Sequence, residues 1–190
     1  AAGVTPRGVD RDIVTGMHMT HIGVDNEAEH LIMGAVRAAL ADGWGGSMIA
    51  TDLSDVLYGT PVPILGKVNL GCMKEDTVNI IVHGHEPVLS EMIVAASNDP
   101  ELIALAEKVG AGGINVGGIC CTGNEISMRH GIPMVGNFLQ QELAVITGAV
   151  EAMIVDVQCI MLSLGPLSEC FHTKFISTSP KAKFPGAIHM

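Results

Sequence analysis

Apolar positions follow two different periods along this chain. Up to about residue 57 the period is helical: Ala28, Leu31, Ile32, Ala35, Ala38 and Ala39 follow Asp25 and Asn26, either of which can cap a helix with acidic residues in its first turn. Gly43-Trp44-Gly45-Gly46 is expected to end that helix. A further helix is expected from Ser47 to Leu57, broken by the run Tyr58-Gly59-Thr60-Pro61-Val62-Pro63. After Lys67 the character changes. Thr77-Val78-Asn79-Ile80-Ile81-Val82 is a β-branched run of the kind buried on both faces of a sheet, and it ends at His83-Gly84-His85-Glu86-Pro87.

Strand and helix signals alternate from there on. Val88, Leu89, Met92, Ile93 and Ala96 keep helical spacing, and Asn98-Asp99-Pro100 opens a helical stretch through Val109. Further strands are read at 113–119, 131–135, 151–157 and 171–178, with a helix at 138–150. The pattern predicts an α/β chain: a helical first third, residues 1–66, followed at 67–190 by a Rossmann-like parallel sheet flanked by helices. In open parallel sheets, ligands bind beyond the carboxyl ends of the strands. Three of the predicted strands end in His83-Gly84-His85, in Cys120-Cys121 and just before Cys159.

Composition narrows the partners. The 190 residues carry 20 acidic and 10 basic side chains, a formal net charge of −10, which speaks against nucleic acid and against an anionic membrane surface. Mean hydropathy is +0.42, yet no window of 18 residues is uninterruptedly apolar, so membrane insertion is not expected. The leading Ala-Ala-Gly-Val-Thr-Pro-Arg lacks the layout of a signal peptide. With it absent, the five cysteines, at 72, 120, 121, 159 and 170, predict a reduced, cytoplasmic setting rather than a disulfide framework.

Imidazole nitrogen and thiolate sulfur are the donors that iron, nickel, zinc and iron–sulfur clusters select. The spacings, 36 residues from His85 to Cys121 and 38 from Cys121 to Cys159, match a strand–helix–strand return and not a zinc knuckle. The residues alone leave other readings open. Cys120, Cys121 and Cys159 would serve equally as small buried hydrophobes with His85 solvated in a loop, and His83 or His85 could activate Cys121 as a nucleophile, oriented by Glu86 or Asp156.

Four strings carry a closer likeness: Ala41-Asp42-Gly43-Trp44-Gly45-Gly46-Ser47, Val82-His83-Gly84-His85-Glu86-Pro87, Gly118-Ile119-Cys120-Cys121-Thr122-Gly123-Asn124-Glu125 and Val155-Asp156-Val157-Gln158-Cys159-Ile160. In this order, and with Gln140-Gln141-Glu142-Leu143-Ala144 and Glu169-Cys170-Phe171-His172-Thr173, the chain resembles the catalytic subunit of the anaerobic nickel–iron–sulfur carbon monoxide dehydrogenases over nearly its whole length. The resemblance implies reversible oxidation of CO with water to CO2, two protons and two electrons. It implies a nickel–iron–sulfur cluster, an open cubane with one pendant iron. By that likeness His85 and Cys121 would bind the pendant iron and Cys159 an iron of the cubane. Cys120 and His83 would each be a supporting residue or an alternative ligand. Asp156 and Glu125 would orient groups near the cluster, while Cys72 and Cys170 read as structural thiols and His18 and His21 as surface or packing residues.

The family's catalytic chain is several times longer than 190 residues. By the resemblance, its relay [4Fe–4S] clusters, three further cluster cysteines and its acid/base His and Lys fall outside this sequence. This stretch is therefore expected to supply about half the protein ligands of the active cluster and none for the relay, to be incomplete by itself, and to expose apolar faces meant for neighbouring protein. The same likeness implies a homodimer with a ferredoxin-like electron carrier and admits an acetyl-CoA synthase partner. Two alternatives remain: a hybrid-cluster (prismane) protein reducing hydroxylamine-like substrates, for which a carboxylate ligand is expected, and a truncated, non-catalytic metal-binding or interaction protein.

Overall fold

The computed structural model describes residues 8–190, so the seven-residue leader considered above lies outside the described residues. The chain divides between Gly59 and Thr60 into two compact units. The sequence-read boundary at 66/67 falls within the leading segment of the second.

The first unit is helical. Helix α1 (Val9–Met19) packs on α2 (Ala28–Asp42), and the chain then continues through a π-helical segment, Gly43–Ile49, into α3 (Ala50–Tyr58). The glycine run thus widens the helix instead of ending it, which corrects the expectation of two separate helices. Gly43 keeps right-handed helical dihedrals, φ −57° and ψ −37°, and Gly45 meets Val9 of α1 where no side chain would fit. Glycine in that conformation weakens a helix by about 1 kcal/mol but does not stop it. The stop comes at Gly59, whose φ of 87° leaves the helical region. Among the described residues of this unit only Asp12, Met19 and Ala41 are buried, while Ile13, Val14, Met17, Trp44, Met48, Leu53 and Val56 are exposed.

The second unit is a six-stranded, all-parallel sheet: β1 (Val78–Gly84), β2 (Ile114–Ile119), β3 (Met134–Gly136), β4 (Ala152–Val155), β5 (Lys174–Ser177) and β6 (Ile188–His189). Their order across the sheet is β3-β2-β1-β4-β5-β6. Side chains alternate across the strands to build two cores. Val82 and Val116 pack with Val94 of α4 (Pro87–Ser97) and Ile126 of α6 (Cys120–His130). Ile81, Met153 and Phe175 pack with Ala144 and Val145 of α7 (Gln141–Ile146) and Leu164 of α8 (Leu164–Glu169). Helix α5 (Pro100–Lys108) starts where the sequence predicts, its amides Glu101 and Leu102 capped by the Asp99 carboxylate.

Helices therefore cover both faces, and the crossover direction reverses between β1 and β4. That reversal opens a crevice at the carboxyl ends of these two strands, the position where doubly wound sheets take their ligands. The register brings the ends of the three donor-bearing strands to one level: His83 aligns with Ile119 on one side and Val155 on the other. One step further, Gly84 bridges Cys120.

Four elements escaped the sequence reading: α1, α6, α8 and β6. Helix α6 follows β2 with no intervening loop, because Gly118 and Gly123 let strand and helix backbones touch. A Cβ on Gly123 would stand 2.6 Å from the Gly118 carbonyl carbon, and one on Gly118 would overlap the Gly123 Cα. We expect Gly118→Ala to destabilise the full-length protein by about 2–3 kcal/mol, the cost of overpacking a site with no room to yield. A urea or guanidinium midpoint within error of the parent would contradict this contact.

Candidate metal centre

Asp156 sits immediately after β4, is fully buried, and organises the crevice. Its Oδ1 accepts from the His85 amide at 2.6 Å and its Oδ2 from the Glu86 amide at 2.8 Å, while the Val157 amide also donates to Oδ1. One carboxylate thus ties the loop after β1 to the exit of β4. Burial pushes its pKa up, against the downward pull of the three amides. The three amides favour the ionised form, whereas burial and the nearby Glu86 carboxylate oppose it. Gly84 is required beside it: its φ is 133° and a Cβ there would overlap the carboxylate. A second tie comes from α6, whose buried Thr122 hydroxyl donates to the Glu86 carbonyl at 3.1 Å.

The two histidines of His83-Gly84-His85 have different surroundings. His83 is wholly buried, its Nε2 2.9 Å from Gln141 Oε1 and 3.1 Å from the Cys159 carbonyl. Burial lowers its pKa, with the hydrogen bonds opposing. His85 is exposed at the rim. Cys121 and Cys159 are also exposed, whereas Cys120 is buried. Among the described residues, the non-glycine positions with left-handed backbone are Cys120 (φ 61°), Gln158 (φ 64°) and Cys159 (φ 61°). Each costs about 1–3 kcal/mol, and such residues concentrate at functional sites.

The three thiols influence one another. Burial, followed by the charges of Cys159 and Cys121, pushes the Cys120 thiol up to about 12. Burial and the charges of Cys159, Glu125 and Asp156 raise that of Cys121. Crowded acidic donors resist deprotonation by one another, and a bound cation reverses that balance. Glu125, one turn along α6 from Cys121, is paired with Arg129 at 2.6 Å. Arg129 in turn reaches Glu91 of α4 at 3.3 Å, and Glu91 reaches His130 at 2.6 Å. The side chains of Arg129 and Glu91 are 3% and 5% exposed, so this pairing anchors α6 on α4 in a setting where a lone charge would be costly.

The remaining candidates lie elsewhere. Cys72 is half-buried at the amino end of the sheet, packs against the core, and offers its carbonyl to Asn115. Cys170 ends α8, exposed, its Sγ 3.6 Å from the Pro166 carbonyl. His18 and His21 are exposed and stack edge-on with ring centroids 6.1 Å apart. Among the described residues no group of three or more His, Cys, Asp or Glu side chains is arranged around a single-ion position. A multi-iron cluster makes no such demand, since its ligands bind different irons several ångströms apart. The donor set of thiols and one imidazole at the ends of β1, β2 and β4 fits a cluster of that kind.

The Prismane/CO dehydrogenase family profile matches residues 1–190. The chain belongs to that family. Carbon monoxide dehydrogenase 1 of Methanosarcina mazei is 68% identical over 188 residues, which cover 99% of this chain and 30% of that protein. The beta subunit of carbon monoxide dehydrogenase/acetyl-CoA synthase from Moorella thermoacetica is 50% identical over 187 residues, 98% of this chain and 27% of that one. The as-isolated, nickel-free carbon monoxide dehydrogenase from Thermococcus sp. AM4 superposes with a TM-score of 0.87 at 55% identity, covering 100% of this chain and 30% of its own. The chain therefore spans about 30% of the length of these relatives. No helix of the described residues is long and apolar enough to cross a membrane.

Two outcomes test the crevice. Alkylation requires the thiolate, and a thiol with a pKa near 12 is ionised only about once in ten thousand at pH 8. In metal-free full-length protein, iodoacetamide at pH 8 should therefore label exposed Cys170 roughly a hundredfold faster than Cys120, as read by peptide mass mapping; equal rates would contradict the buried placement. In Asp156→Asn, one face of the amide turns an N–H toward a backbone N–H. That should cost about 1–3 kcal/mol in denaturant unfolding and speed hydrogen exchange at His85 and Glu86.

Proposed function

We propose that this chain forms one wall of the active site of a carbon monoxide dehydrogenase, which interconverts CO and water with CO2, two protons and two electrons. The observation that carries this reading is the register at the carboxyl edge: the adjacent strands β2, β1 and β4 align at Ile119, His83 and Val155, and the exposed His85, Cys121 and Cys159 follow those ends, with Cys120 buried. His85 and Cys121 would hold the pendant iron of a nickel–iron–sulfur cluster and Cys159 an iron of its cubane portion. When bound, that cluster would activate CO and water and take up the two electrons.

The protein's own contribution is orientation and electrostatics. Asp156 fixes the backbone from which His85 projects, and α6, held by Arg129, fixes Cys121. A neutral imidazole supplies a donor without adding a negative charge, so the iron it binds stays more electrophilic than a further thiolate would leave it. His83 is engaged with Gln141 and the Cys159 carbonyl, which suits a supporting role. Cys120, buried behind the rim, suits a supporting role or that of an alternative ligand. The carboxylates closest to the cysteines are already engaged, Asp156 with three amides and Glu125 with Arg129. That disfavours a hybrid-cluster site, in which a carboxylate is expected as a ligand.

The exposed apolar side chains of the first unit are suited to burial by further polypeptide of a longer protein. In that full-length setting we infer a cytoplasmic homodimer, relay [4Fe–4S] clusters feeding a ferredoxin-like carrier, and a Rossmann-like role for the sheet as scaffold. The Moorella relative's name associates it with acetyl-CoA synthase, which makes such a synthase a candidate partner here.

Anaerobically prepared full-length protein should contain nickel and reduce viologen dye with CO. Cys121→Ser should lower nickel content and abolish at least 99% of that activity. His85→Cys should retain iron but lose at least tenfold in CO-dependent rate. Hydroxylamine reduction without CO oxidation would overturn the reading in favour of the hybrid-cluster class, and absence of nickel and iron would overturn both.

A further inference from the structure

Gln141, the first residue of α7, is fully buried although it is polar, and its amide makes four hydrogen-bond contacts. Nε2 donates to the Phe138 carbonyl at 2.7 Å and to the Cys159 carbonyl at 3.0 Å. Oε1 accepts from the Met161 amide at 2.9 Å and lies 2.9 Å from His83 Nε2. The backbone partners fix which end is which. Met161 N–H can only donate, and the two carbonyls can only accept, so the amide has one consistent orientation.

That orientation also sets the histidine. His83 Nε2 faces two acceptors, Gln141 Oε1 and the Cys159 carbonyl at 3.1 Å, so this nitrogen carries the proton. The Cys159 carbonyl consequently receives two donors, one from α7 and one from β1, and the amide two residues on is held by the same glutamine. These bonds hold the carboxyl side of the two left-handed residues, Gln158 and Cys159, at the Cys159 carbonyl and the Met161 amide. A turn in that conformation persists only where its surroundings over-determine it.

We propose that Gln141 is a positioning residue which, together with the Nε2–H tautomer of His83, locks the left-handed turn that aims the Cys159 thiol at the crevice. This rests on the reading of Cys159 as a cluster ligand and adds to it the means by which that ligand is held. In this arrangement His83 acts as a hydrogen-bond donor; it neither binds metal nor relays protons.

The test uses the full-length protein and two readouts: hydrogen exchange of the 158–161 segment in the metal-free form, and nickel per chain after anaerobic loading. Gln141→Leu should speed exchange at 158–161 at least tenfold while leaving β2 protected, and should reduce nickel by half or more. A glutamine at position 83 can place an amide nitrogen near the site of Nε2. His83→Gln should therefore stay within about threefold of the parent in both readouts, whereas His83→Leu should behave like Gln141→Leu. The proposal is overturned by unchanged exchange in Gln141→Leu, or by His83→Gln failing as badly as His83→Leu. Should Gln141→Leu also lose protection in β2, the paired His83 variants decide alone. Cys159→Ser separates the two levels: full nickel in that variant refutes the ligand reading, whereas nickel loss there with normal nickel in Gln141→Leu refutes the positioning role.

Discussion

The arrangement at the carboxyl edge depends on one buried carboxylate. Asp156 lies where the sheet changes winding direction, and its two oxygens collect amides from both sides of that divide. Backbone amides are fixed in number and direction, so a carboxylate held by three of them defines the relative position of two strand ends more tightly than side-chain packing would. The constraint propagates outward. It requires a residue without Cβ at 84, directs His85 to the rim, and starts the left-handed turn that ends in Cys159. Helix α6 adds the third element, joined to the same loop through Thr122.

The edge so built is unfavourable by itself. It combines three left-handed residues, clustered thiols of which Cys120 and Cys121 resist ionisation, and a buried carboxylate, none of which stabilises a fold. Each is offset by an investment nearby: the Glu91–Arg129–Glu125 pairing under α6, the Gln141 amide under the Cys159 turn, and the amide cradle around Asp156. A region assembled against its own local preferences is expected where function, not stability, sets the geometry. Bound metal ions would favour the thiolate forms that the crowding disfavours, which would couple metal loading to the stability of this edge.

Much of this was legible in the sequence, and the exceptions have physical causes. The β-branched run before His83 and the glycine-bounded run before Cys120 announce buried parallel strands, and their ends place the donors on one edge without any coordinates. Helix α6 was hidden because its opening, Cys-Cys-Thr-Gly-Asn-Glu, contains glycine and asparagine and has no capping side chain, so it reads as loop. Only the backbone contact of Gly118 with Gly123 explains why a helix can begin there. The π segment was hidden for the opposite reason, because glycines that usually end a helix kept helical dihedrals. Gln141 was the least legible residue of the site. A polar residue opening an amphipathic helix reads as solvent-facing, and its partners at 159 and 161 return to it only through the tertiary fold.

Exposure decides how such a site can be completed. His85, Cys121 and Cys159 are exposed while Cys120 and His83 are buried, so a cluster held by the first three would sit on the rim of the sheet, outside this chain's own core. Three donors on one side leave its other side to ligands from elsewhere, in keeping with a chain that spans about 30% of the relatives it matches. A rim site closed by other parts of a longer protein shields the cluster from water only once the parts come together. Each wall must therefore hold its donors in place beforehand, because a loose ligand would have to be ordered at the moment of assembly. On this argument, the hydrogen bonds beneath Asp156, Arg129 and Gln141 matter more here than in a site enclosed by a single domain.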